Sequence, residues 1–543
     1  MADLLSIHDD IKLYTTSDKF YLEPTIHPTE ILVIDRVTGE ASVKDIGSVK
    51  IPIPANAYRP VCGFLGSIKL ISGLYLVVAK YRILVGKLNG HEIYQLAGTD
   101  IIPYARSNTH LTSKQIEDNA TYERMLRAAL DTVGIYFSYS YDLTHCLQRL
   151  HSVTPDFHRM SIANRADPRF LWNGFLLRDY SHQQFSRFTL PIIQGFVSIN
   201  NVTVNGHSLT WSLVSRRCVD RAGTRFFMRG VDAQGNVANF VETEQIIERG
   251  GEKSSFVQTR GSIPLFWSQY PDIKYKPAMQ LSHEDHVAAY TKHLRDQQQR
   301  YGNQVLVNLI DQHGKEEALE RGFRAAVAAA ALPGVRYEPF DFHAECRSMR
   351  YYRLNVLIDR IKLEQAEFGY FLSRGGTVLL RQNGVFRTNC VDCLDRTNVV
   401  QSLLARLQLT AALRILAVTN SDDEKHAEFD NLFNNDSIDL FLGKYVVTDG
   451  EGNTLPCPLR RDRDWKYITF PSVLLVAMSM FCASATLPQR YTSEVLLYLM
   501  FWGAAVTATL TFIFRHGKEF VDWPRLDAGG LAAARALPPP QSL

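Results

Sequence analysis

Two stretches near the C-terminal end constrain this chain more than any other feature. Residues 467–487 carry no charged side chain, and neither do residues 495–514. Each is roughly twenty residues long, enough for an α-helix to cross a hydrocarbon core of ~30 Å. Only residues 488–494 separate them. Two spans with so short a link form a hairpin, so both flanks are expected on one side of a membrane. Arg460, Arg461, Arg463 and Lys466 precede the first run, Arg515 and Lys518 follow the second, and Arg490 is the lone basic residue between them. The bias of basic residues toward the cytosolic side then puts both flanks, and with them both termini, in the cytosol. Trp465 and Tyr467 fall where an interfacial aromatic belt is expected. Two core helices of a soluble protein are the competing reading, and a single-pass or re-entrant arrangement is a third. Apolar runs this long favour the membrane.

The remaining chain is long enough, within 543 residues, for two soluble domains. Hydrophobic residues make up 46% and charged residues 21%, which excludes a disordered or fibrous chain. With 59 basic against 56 acidic residues, the balance gives no reason to expect a nucleic-acid partner. Eight cysteines are scattered without the spacing of a small secreted framework, and the first ten residues lack the basic start and apolar run of a signal peptide. A reducing, cytosolic soluble part is expected, one in which a thiolate survives.

The early chain reads as β-structure. Residues 74–79 and 81–88 are strand-like, Asn89-Gly90 is a hairpin turn, and 91–96 is the return strand. Asp142 is expected to cap a helix over 143–150. Further on, strands and helices alternate. Strands are expected at 305–310 and 335–340, helices at 315–331 and 348–372, and short β-segments at 377–380 and 385–388. A helix over 398–413 carries Val399, Leu403, Leu407 and Ala411 on one stripe. The expectation is an α/β protein with a β-rich N-terminal domain (1–185) and a catalytic α/β domain (186–450). A basic juxtamembrane linker (451–466), the transmembrane hairpin (467–514) and a cytosolic tail (515–543) follow.

The segment that carries chemistry is Cys390-Val391-Asp392-Cys393-Leu394-Asp395-Arg396-Thr397, between a short β-segment and an amphipathic helix. A Cys-x5-Arg loop of this length wraps a tetrahedral phosphate with its main-chain N–H groups, here those around Val391, Cys393, Leu394, Asp395 and Thr397. The helix that follows adds the positive end of its dipole. The same field favours the Cys390 thiolate as nucleophile. Arg396 grips two phosphate oxygens in a fork and neutralises charge during transfer. The intermediate is a cysteinyl phosphate, and no metal or other cofactor is required. The leaving oxygen needs a proton; Asp392, Asp395 and Asp341 are candidates, with Asp392 preferred. Cys390 and Cys393 also form a C-x-x-C pair, redox-active or half of a zinc site, but no second such pair completes one, and only His343 and Cys346 are left to contribute.

The whole string Arg387–Asn398 resembles the signature of the Sac-domain (suppressor-of-actin) phosphoinositide phosphatases. Further blocks are similar to that family: those opening at Tyr141, Arg169, Ser215, Asn239, Ser255 and Phe340. The C-terminal hairpin looks like that of the endoplasmic-reticulum and Golgi member. The resemblance implies hydrolysis of phosphatidylinositol 4-phosphate, with the 3-phosphate as a further substrate, on a cytosolic leaflet. It matches Cys390 to the nucleophile and Arg396 to the phosphate-binding arginine. Trp172, Phe266 and Trp267 are expected in the core. Arg216, Arg217, Arg260, Lys274 and Lys276 are either lipid-facing or part of an ordinary solvated face.

One departure stands out. After the loop helix the family continues through a longer stretch before an Asp-Ser-Ile-Asp-Leu-Phe-Leu-Gly block, whereas here Glu428–Phe433 runs almost directly into it, so dozens of residues are expected to be missing near 433–435. The alternative function is therefore a catalytically impaired, membrane-bound protein that binds a phosphoinositide or a partner. A soluble protein-tyrosine phosphatase fits Cys-x5-Arg but not the two spans.

Overall fold

A computed structural model describes residues 6–26, 28–52, 54, 57–109, 111–269, 278–347, 350–416, 418, 465–486 and 492–515. The chain divides into two units, one of residues 1–269 with 279–444, the other of 270–278 with 445–543. The expected gap near 433–435, Lys274, Lys276, almost all of the 451–466 linker and nearly all of the tail lie outside the described residues.

The first unit is a mixed α/β body whose N-terminal part is rich in strands. A five-stranded antiparallel sheet comes first, in the order Ala41–Asp45, Glu30–Asp35, Lys19–Pro24, Ile11–Thr15, Arg59–Val61. Its alternating apolar residues, among them Leu13, Phe20, Leu22 and Leu32, pack against Phe64, Leu76 and Val78. The expected hairpin is present and longer than expected, Gly73–Leu88 with His91–Pro103. Asn89 and Gly90 take φ of 53° and 82°, which is the turn that Asn-Gly favours. These strands belong to a thirteen-stranded sheet that continues through the boundary expected at residue 185, because Ile135–Phe137 pairs with Ile193–Val204.

At its far end the sheet turns parallel. Val335–Pro339, Asn303–Asn308 and Gly384–Asn389 run side by side in one direction, and the end of Glu252–Arg260 joins them. The helix Glu317–Ala330 makes the crossover between two of these strands and buries Leu319, Phe323 and Ala326 on one stripe. All four strands end at the same edge, where an open parallel sheet forms its crevice.

Three local expectations are corrected. Asp142 does not start a helix: its carboxylate accepts from the N–H and hydroxyl of Thr144, and the helix begins later, as the single turn Leu147–Leu150. The 348–372 helix is instead Leu354–Phe368, closed by Gly369 at φ 58°, with Phe371–Arg374 a strand paired to Glu252–Arg260. The helix Asp395–Ile415 buries Val400, Leu404 and Leu409 together with Gln401 and Gln408, offset from the predicted stripe. The sheet presents glutamines to it. Gln258 donates to the Gln401 carbonyl and Gln245 to that of Ala405, each at 3.0 Å, so amide hydrogen bonds join the sheet to the helix inside the contact.

In the second unit, helix Trp465–Thr486 takes up the first apolar run as far as residue 486, and helix Ser493–Arg515 contains the second. Phe470 stacks on Phe512 at 4.2 Å and Phe481 approaches Gly503, which is the pairing of an antiparallel hairpin. Only 6% of each apolar window is buried, so both helices are long and apolar enough to cross a membrane and leave that apolar surface uncovered.

Candidate active site

The site forms where the parallel strands end. Asn389, fully buried, donates through Nδ2 to Asn308 Oδ1 at 2.7 Å, and its carbonyl accepts from Leu309 N–H at 2.9 Å. Those bonds pin the start of the loop to the neighbouring strand, so Cys390 leaves the sheet at the crevice. Cys393 takes φ 54°, an uncommon value for a residue with a side chain, and this turns its N–H onto Cys390 Sγ at 3.1 Å. The helix then begins at Asp395. Leu394 at its N-cap makes no side-chain cap bond, which leaves first-turn N–H groups for an anion at the loop.

Cys390 is 2% exposed. Interaction with the Cys393 side chain lowers its pKa most, and burial works against that. Arg396 and the N–H of Leu394 add to the lowering, and the thiol settles at about 7. Cys393 is pushed up by the same pairing. Cys390 is therefore the ionisable member, with Cys393 supporting it.

Arg396 does not point into the loop. It forks onto Glu316, with both nitrogen–oxygen distances 2.9 Å, donates to the Leu309 carbonyl at 2.9 Å and lies 3.6 Å from Asp311. Asp392 is held by Arg229 at 2.5 Å and Arg225 at 2.6 Å. Burial alone would raise its pKa, but the two guanidinium groups outweigh that and keep it ionised. Asp341 caps the short helix Phe342–Glu345 and accepts from Gln312 N–H as well. Asp395 is exposed in the first turn of the loop helix.

The loop thus brings Cys390, Cys393 and Arg396 together and adds four residues that sequence reasoning missed, Arg225, Arg229, Asp311 and Glu316. Asp311 and Glu316 follow directly on the strand Asn303–Asn308; the rule that parallel strands gather their sites at the carboxyl edge was the signal for them. Arg225 and Arg229 come from an irregular segment with no such signal. Arg216 is corrected: it is fully buried, bonded to Glu242, Glu244 and two carbonyls, and faces no lipid. Trp267 is core as expected. Among the described residues no group of three or more His, Cys, Asp or Glu side chains is arranged to hold a metal ion.

The fold and site define a class first, an α/β protein with a cysteine-centred anion loop at the end of a parallel strand. Comparison with known proteins gives the family. The sequence model of the SacI homology domain matches residues 62–347. The phosphatidylinositol-3-phosphatase SAC1 of Drosophila melanogaster is 44% identical over 583 aligned positions, covering 96% of this chain and 97% of that protein. The SAC1-B protein of Danio rerio is 40% identical (96% and 99%), and the SAC1 protein of Saccharomyces cerevisiae 32% (93% and 91%). The chain belongs to the Sac-domain phosphoinositide phosphatases. An alignment of 583 positions that uses 96% of a 543-residue chain leaves several dozen positions with no residue on this side.

Proposed function

We propose that this chain hydrolyses phosphatidylinositol 4-phosphate, and the 3-phosphate isomer with it, through a cysteinyl-phosphate intermediate. The observation that carries the reading is Cys390, a buried thiol of lowered pKa set before an uncapped helix. The relatives named as phosphatidylinositol-3-phosphatases support including the 3-phosphate.

In the first step the Cys390 thiolate attacks phosphorus. The sulfur–phosphorus bond forms as the bond to the inositol oxygen breaks, and that oxygen takes a proton. Main-chain N–H groups around Val391, Cys393, Leu394, Asp395 and Thr397 receive the phosphate oxygens, and Arg396 takes two of them. In the second step water attacks phosphorus, the sulfur–phosphorus bond breaks, and inorganic phosphate leaves with the thiolate restored. Arg396 must exchange Glu316 for the phosphate. A dianion at the loop competes for the kind of bidentate contact that Glu316 provides.

Asp392 is the proposed proton donor, and its surroundings supply the switch. While Arg225 and Arg229 hold it, it is anionic and cannot donate. Arg225 is largely exposed and free to turn to a substrate phosphate. With a cation withdrawn and a dianion beside it, burial then raises the carboxyl toward the protonated state. The same group takes the proton of the attacking water in the second step.

The proposed setting is the cytosolic leaflet of an endoplasmic-reticulum or Golgi membrane, with helices Trp465–Thr486 and Ser493–Arg515 as the anchor and both termini cytosolic. The basic residues flanking the apolar runs support that orientation. The soluble part is proposed to comprise a β-rich segment, 1–185, and a catalytic segment, 186–450, that share the thirteen-stranded sheet. The test is phosphate release by the full chain in mixed micelles carrying one phosphoinositide at a time. Release from the 4- and 3-phosphates, absent for Cys390→Ser, is expected; release confined to other isomers refutes the substrate assignment.

A further inference from the structure

Among the described residues, the arginines gathered around Cys390 have hydrogen-bonding or ionic partners, with one exception. Arg396 pairs with Glu316, and Arg225 and Arg229 share the single carboxylate of Asp392. Arg387, fully buried, places its guanidinium on His293 Nε2, the Ser262 carbonyl and Asn389 Oδ1. Arg260 forms no ion pair with an acid among the described residues, and its buried Nε has no hydrogen-bond partner.

The position of Arg260 follows from register. It ends the strand Glu252–Arg260 opposite Thr388 of the parallel neighbour, two residues before Cys390. Side chains alternate along a strand, so Arg260 shares a face with Gln258. Gln258 donates to the Gln401 carbonyl of the helix Asp395–Ile415. Arg260 lies two residues, or about 6.6 Å, closer to the carboxyl edge. The helix returns from that edge, and about 6 Å along it is four residues. Arg260 therefore stands level with the first helical turn, near Thr397, under the phosphate loop. Both loop cysteines are near enough to act on its charge, while burial disfavours that charge.

Arg260 is half-buried with its Nε shut off from water, and a cation so shielded without a counter-charge destabilises a fold; such groups persist where a ligand completes them. We propose that Arg260 is a substrate-binding residue whose guanidinium takes an oxygen of the phosphate monoester held by the Cys390–Arg396 loop. This rests on the phosphatase reading of that loop. The bound dianion supplies the counter-charge that the protein itself omits.

Purified full chain in detergent micelles is compared with Arg260→Met and Arg260→Lys. Thermal midpoints are recorded against inorganic phosphate concentration, and KM and kcat against phosphatidylinositol 4-phosphate. Without phosphate, Arg260→Met is expected to unfold at the parent's temperature or above it, since it removes an uncompensated charge. Its apparent phosphate affinity is expected to fall roughly ten- to a hundredfold, the worth of a charge-assisted hydrogen bond. Arg260→Lys should recover part of that affinity. The inference is overturned if the parent shows no response to phosphate, if Arg260→Met keeps the parent's response, or if its midpoint drops as for a structural arginine. A parent that binds phosphate through Arg260 yet hydrolyses no phosphoinositide refutes the proposed function and leaves the binding residue standing.

Discussion

Glu316→Gln separates two opposite roles for the ion pair that holds Arg396. Arg396 and Glu316 are 14% and 6% exposed, and two 2.9 Å contacts join them. Charge-assisted bonds of this kind contribute about 1.5–3 kcal/mol each, whereas a glutamine retains one neutral bond of about 1 kcal/mol. Asp311, 3.6 Å away, and the Leu309 carbonyl keep Arg396 from being stranded. The net loss of stability is then about 2 kcal/mol, below the 3–5 kcal/mol of a fully orphaned buried charge. If the fork restrains Arg396 from the loop, that same energy no longer opposes phosphate. Phosphate should bind Glu316→Gln up to about thirtyfold more tightly, at 1.4 kcal/mol per factor of ten. Calorimetric titration of inorganic phosphate, with thermal unfolding alongside, reads both quantities. A lower midpoint with tighter phosphate binding is expected, and Arg396→Ala should weaken binding. If Glu316→Gln instead weakens phosphate binding as Arg396→Ala does, Glu316 orients Arg396 productively and the restraint argument is wrong.

The Cys393 side chain is the largest influence lowering Cys390, so Cys393→Ala, which removes the thiol but keeps the main-chain N–H on Cys390 Sγ, should raise the Cys390 pKa. Less thiolate is then present at pH 7, and iodoacetamide should modify Cys390 up to about tenfold more slowly, with the rate profile moved to higher pH; an unchanged profile contradicts that assignment. Arg225→Ala removes one of two cations from Asp392, and Arg225 is largely exposed while Arg229 still holds the carboxylate, so the unfolding midpoint should shift by less than the equivalent of about 1 kcal/mol. The Asp392 pKa rises, and the basic limb of the kcat/KM profile should move to higher pH, because a stronger hold on the proton keeps the acid competent for longer. Arg216→Ala strands Glu242 and Glu244 in the interior and should cost about 3–5 kcal/mol in denaturant unfolding; a loss under about 1 kcal/mol would show that the triad is not the structural element described.

Much of this was legible because local chemistry and tertiary context agree. Asn89-Gly90 specifies its turn through backbone conformation alone. The apolar runs declare their helices by length, and Cys-x5-Arg between a strand and a helix marks the loop. The misses fall where distant contacts decide. Phe371 and Leu372 continue a helical pattern in sequence, yet they pair with Ser255 and Ser254 in a strand. The loop helix turns polar glutamines inward because glutamines on the sheet meet its carbonyls. The partners of Arg396 and Asp392 come from segments about 80 and 160 residues away, a proximity set by sheet topology rather than by spacing. Arg216 reads as a surface cation, but its acids lie on the adjacent strand Val241–Arg249.

The central claim is that phosphate passes through the sulfur of Cys390. Rapid-quench reaction of the full chain with phosphatidylinositol 4-phosphate radiolabelled in the monoester phosphate tests it directly. Label bound to protein within the first turnover, located on Cys390 by peptide mapping and absent from Cys390→Ser, is the predicted result. Steady phosphate release with no protein-bound label at any quench time, or label on a different residue, would contradict it.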